Sequence, residues 1–380
     1  MSDYVRQMPH HGSHDMGTRP TAAMRFHIDV PLLLLLLALT GYGLFVLYSA
    51  SGQSMGAVVR QGRYFALAYV VMILGAQISL ATYARWAPAL YVMGVGLLAA
   101  VLFVGVGVKG AQRWLDIGGF RFQPSEIMKL GVPMAVAWFL ADRILPPRFL
   151  PIMGALCLLG LPAALILLQP DLGTALLIAA SGLFVLFMAG IGWRYIGGAV
   201  LLAIASAWPA WLFVLKDYQK RRILTMLNPE SDKLGAGWNI IQSKTAIGSG
   251  GWEGKGWMQG TQSQLDFLPE SHTDFIIAVL AEEYGLRGVL VLMSLYLLIL
   301  LRGFWIGMRA QSSFGRMMAG SLTLTFFVYI FVNMGMVAGL LPVVGVPLPL
   351  VSAGGTSVVT LMAGFGILMS ISTEKRRVIS

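Results

Sequence analysis

The sequence predicts an all-α polytopic membrane protein of about ten transmembrane helices, with one long extracytoplasmic loop before the eighth span. Three observations lead there. Hydrophobic residues make up 57% of the 380-residue chain and charged residues only 12%; with a mean hydropathy of +0.74, the chain is too apolar for a soluble globular domain. Apolar runs of about 20 residues recur along it, the length at which a helix crosses a bilayer. Lysine and arginine gather in alternate connections, as the positive-inside bias requires.

Residues 1–27 read as a disordered polar tail; His10, His11 and His14 could bind a metal there, but a polar chain end explains them without one. The run VPLLLLLLALTGYGLFVLYSA, Val30–Ala50, is the first span. It is too long for the apolar core of a secretory signal and no small-residue cleavage site with polar sequence follows it, so it is retained. Further spans are expected near 64–79, 86–108, 126–141, 149–168, 172–190, 196–215, 275–302, 316–340 and 354–372. An even number puts both termini on one side. Arg6, Arg19 and Arg25, then Arg85, Arg143, Arg148, Arg194, Arg302, Arg309 and Arg316, then Lys375, Arg376 and Arg377 all face the cytoplasm in that arrangement. The net charge of +10 therefore calls for no nucleic acid. The single cysteine, Cys157, excludes disulfides and CxxC chemistry and is expected buried in its span.

Polar insertions break this pattern in three places. In KGAQRWLDIGGFRFQPSEIMKLGVPMAVAWFL, residues 109–140, Pro124 suits a helix start and Ser125 a cap, and Glu126 and Lys129 share a helical face. Lys129 then lies inside an apolar span, where a cation must be paired or face a wet cavity. A structural ion pair and a functional site both meet that demand. In QPDLGTA, residues 169–175, Asp171 can cap the following helix or act on a ligand. In NMGMVAGLLPVVGVPLPLVSAGGTS, residues 333–357, three prolines and Gly354-Gly355 interrupt helix. Irregular backbone at membrane depth is tolerated only when buried in protein or lining a cavity.

The loop at 216–273 is far longer than an ordinary connection. Trp238, Trp252, Trp257, Ile240, Ile241 and Phe267 make it too apolar for disorder. Its GAGWNIIQSKTAIG stretch can form an amphipathic helix on the membrane surface. IGSGGWEGKGWMQG is no P-loop, because Ser249 and Gly256 stand where that motif needs glycine and a hydroxyl residue; its glycines read as turns packing closely on other loops. The loop ends in LPESHTDFI, with Glu270, His272 and Asp274 within five residues. Ser271 and Asp274 have capping-box spacing. One helix over 275–302 extends roughly 42 Å against a hydrocarbon core of about 30 Å, which carries Asp274 to the outer interface. Cap and catalyst both fit. His272 is the only histidine beyond residue 27, so triads and HExxH zinc sites are poorly supported. Outer-face chemistry is left with carboxylates as acid or base and cations as clamps, which suits glycosyl transfer from a diphosphate-linked donor.

GAQRWLDIGGFRFQPSEIMKL, QPDLGTA, GWNIIQSKTAIGSGGWEGKGW, LDFLPESHTDFIIAVLAEE and PLPLVSAGGTS, in that order, resemble the RodA/FtsW family, the SEDS proteins of bacterial cell-wall growth. The resemblance covers the chain after about residue 28, nearer the elongation branch than the division branch. It implies an inner-membrane peptidoglycan glycosyltransferase that polymerises lipid II, with a membrane domain over 28–373 and a cytoplasmic tail over 374–380. It implies that Asp274 is catalytic and that Glu126 and Lys129, lining the same cavity, are catalytic candidates beside it, Glu126 either as the base instead or as the group that orients Lys129. Arg113 becomes a contact to donor phosphate, and Lys244, Asp171, His272 and Ser352 are further substrate-binding candidates. The implied partners are a class B penicillin-binding protein transpeptidase, other elongation-complex proteins, lipid II and undecaprenyl diphosphate. A divalent cation, Mg or Mn, is plausible at the diphosphate, with no organic cofactor and no nucleic acid. Where the family usually reads SYGG this chain has Ser352-Ala353-Gly354-Gly355, so no phenol acts there. The rival readings are a lipid II flippase or related transporter, the division-type paralogue, and an inactive scaffold.

Overall fold

The computed structural model describes residues 27–108, 111–117, 120–232, 235–264 and 271–374. His10, His11, His14, Glu270, Phe267 and the basic C-terminal residues Lys375, Arg376 and Arg377 lie outside the described residues. Among those described, ten long helices form the bundle. They are α1 Val30–Ala50, α2 Met55–Ala76, α3 Leu80–Val104, α4 Pro124–Ala141, α5 Phe149–Leu168, α6 Leu172–Met188 and α7 Trp193–Pro209, then, after the loop helices α8 Asp217–Leu227 and α9 Ala236–Gly250, α10 Ile276–Arg309, α11 Ser313–Val337 and α12 Thr356–Ser372. Seven are long and apolar enough to cross a membrane, and α6 and α12 are shorter apolar helices. The remaining one, α4, carries Glu126 and Lys129 in its first turns.

The expected spans are all present, with shifted starts. α2 begins at Met55 rather than 64 and α3 at Leu80 rather than 86, because Ser54 and Ser79 cap them by accepting from Ala57 N and Thr82 N. A side-chain cap makes the polar turn ahead of the apolar run helical. Cys157 is exposed on the outer face of α5 rather than buried, since Ala155 and Leu159 take the inward positions. α7 buries none of its residues and passes into a π-helical turn, Ala210–Val214.

The all-α expectation holds for the bundle, but a small antiparallel sheet joins α3 to α4: β1 Val106–Val108, β2 Ala111–Ile117 and β3 Phe120–Phe122, in that order. The single helix expected over 275–302 is also broken. α10 has a non-helical residue, Gly285, at φ 63° and ψ −159°, a conformation open to glycine alone. The loop's glycine cluster lands on this break instead of on other loops. Lys255 N donates to Glu282 O (2.9 Å), Gly256 N to Glu283 O (3.0 Å) and Leu286 N to Gly251 O (2.9 Å). A Cβ at Gly285 would lie 2.5 Å from Gly254 N. Fully buried Glu282 fixes the loop further, accepting from Lys255 Nζ at 2.7 Å and Gln262 N at 2.9 Å. α9 forms as expected, yet it sits on the bundle and not on the membrane surface: Ile240 and Ala246 are buried, and Ser243 Oγ donates to Val337 O at 2.9 Å.

The two ends of the described chain, near His27 and Thr373, share one side of the bundle. Arg302 forks onto Asp29 through Nε (3.0 Å) and Nη2 (2.7 Å), and His27 bonds Thr373 at 2.8 Å. The sheet, the long loop and the irregular segment 338–355 occupy the other side.

Candidate functional site

Pro124 occupies the first turn of α4, and its missing N–H is no loss there. Ser125 does not cap it. Gln123 stands in the cap position without a side-chain bond, and Ser125 is buried. One turn on, Lys129 Nζ lies 2.7 Å from Glu126 Oε1, both side chains largely buried, and 5.5 Å from the centroid of the Tyr329 ring. Tyr329 belongs to a polar row on α11, Thr325, Tyr329 and Asn333, spaced four apart and so on one face. Ser125 Oγ, Glu126 Oε2, Thr325 Oγ1 and Asn333 Oδ1 are buried with no partner among the described residues. Such an atom costs about 1–3 kcal/mol unless water or a ligand completes it. Four of them on α4 and α11, beside an ion pair, mark a polar region inside the bundle, next to a small, mainly apolar cavity of about 30 Å³ that Lys129, Thr325 and Tyr329 help to line.

Asp274 lies in the turn before α10, and the capping-box expectation fails there. The helix begins at Ile276 with Phe275 in the cap position, while Ser271 Oγ donates instead to Ala50 O at 3.1 Å. The turn is held against segment 338–355. Ala353 N donates to His272 O at 3.0 Å. Asn333 Nδ2 donates both to Asp274 O (2.8 Å) and to Val346 O (2.7 Å). Gly345, at φ 74°, comes so close that a Cβ would sit 3.6 Å from Asp274 Oδ2. Asn333 therefore grips the main chain of Asp274 and ties it to the segment facing it.

The other candidates divide into smaller groups. Arg113, on β2, donates to Pro170 O at 2.6 Å and lies 3.5 Å from Asp171 Oδ2. Asp171 also caps α6, accepting from Thr174 N at 3.2 Å. Lys244 is exposed on α9, its chain lying over Gly339, where a Cβ would come within 2.7 Å of Nζ. His272 is exposed. Ser352 is buried, and its hydroxyl accepts from Leu348 N at 2.9 Å, closing a backbone turn. Among the described residues no three His, Cys, Asp or Glu side chains form a metal cage; a divalent cation here would be shared between one or two carboxylates, substrate oxygens and water.

Two residues of the site were not singled out by their sequence. Asn333 is fully buried; an amide within an apolar span was the available signal. Gln61, in α2, is buried and accepts from Gly354 N at 3.1 Å, a contact with no local signature.

Comparison with known proteins agrees with this architecture. Residues 30–377 match the family model for the cell cycle proteins FtsW, RodA and SpoVE. The chain is 56% identical over 362 residues to the peptidoglycan glycosyltransferase MrdB of Escherichia coli strain K12, covering 95% of this chain and 98% of the relative. It is 39% identical over 359 residues to a probable peptidoglycan glycosyltransferase FtsW of Trichlorobacter lovleyi, covering 90% and 93%. Among solved structures, a chain from a peptidoglycan synthase complex that coordinates polymerization and crosslinking superposes with a TM-score of 0.80 at 31% identity, covering 90% of this chain and 97% of that one. The rod shape determining protein RodA of Thermus thermophilus superposes with a TM-score of 0.70 at 28% identity, covering 92% and 98%.

Proposed function

The chain belongs to the family of FtsW, RodA and SpoVE, and on this premise we propose that Asp274 is the general base of its glycosyl transfer. The protein is an integral membrane protein and an elongation-type peptidoglycan glycosyltransferase. The substrate of the proposed reaction is lipid II. Asp274 takes the proton from the GlcNAc 4-hydroxyl of an acceptor, whose oxygen attacks the anomeric carbon of the donor's MurNAc with inversion. The bond to undecaprenyl diphosphate breaks and its electron pair leaves with the diphosphate. Lys129 and Arg113 offset that charge, while Glu126 and Asp171 hold the two cations in place until substrate arrives.

The observation that carries this reading is the pair of hydrogen bonds that Asn333 Nδ2 donates to Asp274 O and Val346 O. A base must be held in one geometry, and here the restraint acts through the backbone, with the carboxylate beside Gly345. Lys244 and His272 are exposed near this turn and serve as outer contacts to substrate. Ser352 acts through the backbone turn it closes. Mg or Mn would accompany the diphosphate, and no step of the mechanism is assigned to it.

The placement of lysine and arginine supports cytoplasmic termini and a site on the outer face. The solved complex of polymerization and crosslinking supports a class B penicillin-binding protein as partner. A flippase needs polar access from both faces, whereas Ser125, Glu126 and Asn333 lie towards one end, with only Thr325 of the four at mid-helix. Purified protein and lipid II, with glycan read on a gel, test the assignment. Asp274→Asn is expected to fall by about 10²–10⁴-fold; polymer at the wild-type rate from a folded variant would overturn it.

A further inference from the structure

At the end of the bundle that holds the described chain ends, α3, α4 and the α10–α11 turn enclose a cleft of about 400 Å³. Arg85, Trp138, Asp142, Ser312, Ser313 and Phe314 line it, and the glycosyl transfer uses none of them. Arg85 and Asp142 are exposed, and neither is ion-paired among the described residues. Asp142 stands at the wrong end of a helix dipole, and Arg85 lies beyond the first turn, to which a dipole's effect is confined. Asp142 is the C-cap of α4, where a carboxylate meets the negative end. Arg85 lies in the second turn of α3, towards the positive end. Helix stability therefore explains neither charge. The neighbouring Arg143 turns away, donating to Phe139 O at 3.0 Å and stacking on that ring at 4.1 Å.

We propose that this cleft binds the headgroup of a zwitterionic phospholipid carrying a primary ammonium, of the phosphoethanolamine type. The phosphate bonds Arg85 and meets the first turn of α11, whose N–H groups before Gly315 are not taken by the Ser312 cap. The ammonium donates to the Asp142 carboxylate. A neutral glycerol in place of the ammonium brings no cation to Asp142, and a quaternary ammonium has no N–H to give it. Trp138, 41% exposed, stands at the rim as an interfacial aromatic, and Trp86, 48% exposed, offers the adjoining face of α3 to the acyl chains.

Native mass spectrometry of the full chain in detergent, titrated with phosphatidylethanolamine, phosphatidylglycerol or phosphatidylcholine, tests this. Wild type is expected to retain phosphatidylethanolamine about tenfold better than either other lipid, the scale of one charge-assisted bond. Asp142→Asn should bring phosphatidylglycerol level with it, Arg85→Ala should lose both, and Arg85→Lys should restore retention in a protein of unchanged melting temperature. Equal retention of the three lipids by wild type, or a preference untouched by Asp142→Asn, overturns the proposal. Displacement of the lipid by micromolar glycerophosphoethanolamine also overturns it, since that marks a site for a soluble phosphate.

Discussion

The two ends of the bundle satisfy their backbones in opposite ways. At the end holding the described chain ends, connections are short and close mainly locally: Ser79 Oγ accepts from Thr82 N, and Ser312 Oγ from Gly315 N, each three residues away, with Ser370 Oγ reaching Ile78 O as a longer tie. At the outer end Ser54 and Asp171 also cap their helices locally, but the irregular segments find partners distant in sequence. Gln61 accepts from Gly354 N, Asn333 holds Asp274 and Val346, His272 O accepts from Ala353 N, and Arg113 donates to Pro170 O. Backbone near lipid must find partners within the protein. Short turns find most of them locally, whereas long irregular segments find them in one another and in helix side chains such as Gln61 and Asn333. The outer end is thereby one geometric unit, and a change anywhere in it should reach Asp274, while a change at the other end should stay where it is made.

Loss of the base itself, Asp274→Asn, sets the largest expected effect on that unit. The next tests the buried pair. Lys129→Met leaves Glu126 buried and uncompensated, a loss of about 3–5 kcal/mol by the usual cost of breaking such a pair. Adding Glu126→Gln should recover most of that stability, read as the melting temperature in detergent, yet leave polymerisation low. Recovery of both stability and activity would reduce the pair to a structural tie and detach α4 from the outer unit.

Asn333→Ala probes the joint directly. It removes the donor shared by Asp274 O and Val346 O, so kcat should drop by about 10–100-fold, the effect of misplacing a catalytic group by an ångström, with KM nearly unchanged. A purely structural amide would lower folded yield and leave kcat per folded molecule intact. That second pattern would break the comparison, since the outer segments would then hold without acting together.

What the sequence made legible follows the range of each interaction. The apolar runs could be read because hydropathy is a property of consecutive residues, and Glu126 with Lys129 because a helix brings residues three apart together. Asp171 as a cap is local in the same way. The break at Gly285 was not legible, because its freed backbone groups are satisfied by residues 251–256 of a folded loop. The capping box was misread for a related reason. Ser271 has the right spacing, but the helix starts only at Ile276, and Ser271 Oγ donates to Ala50 O, 221 residues away. The sheet over 106–122 stayed hidden because its strands are short, β1 and β3 spanning three residues each. Asp274 was visible as a motif. Asn333, which positions it, becomes visible only once α11 lies beside segment 338–355.

The smallest effect belongs to the other end. Ser79→Ala removes the cap of α3, whose hydroxyl accepts from Thr82 N at 3.3 Å and shares a bond with Thr82 Oγ1 at 2.9 Å. Loss of a serine cap costs about 0.5–2 kcal/mol, and water can reach this site because both partners are exposed, which favours the lower figure. The melting temperature should fall slightly and glycan synthesis per folded molecule should stay at the wild-type rate. A drop in rate comparable to that of Asn333→Ala would mean that helix ends on opposite sides of the membrane are coupled through the bundle, and the division into a local end and a cooperative end would have to be abandoned.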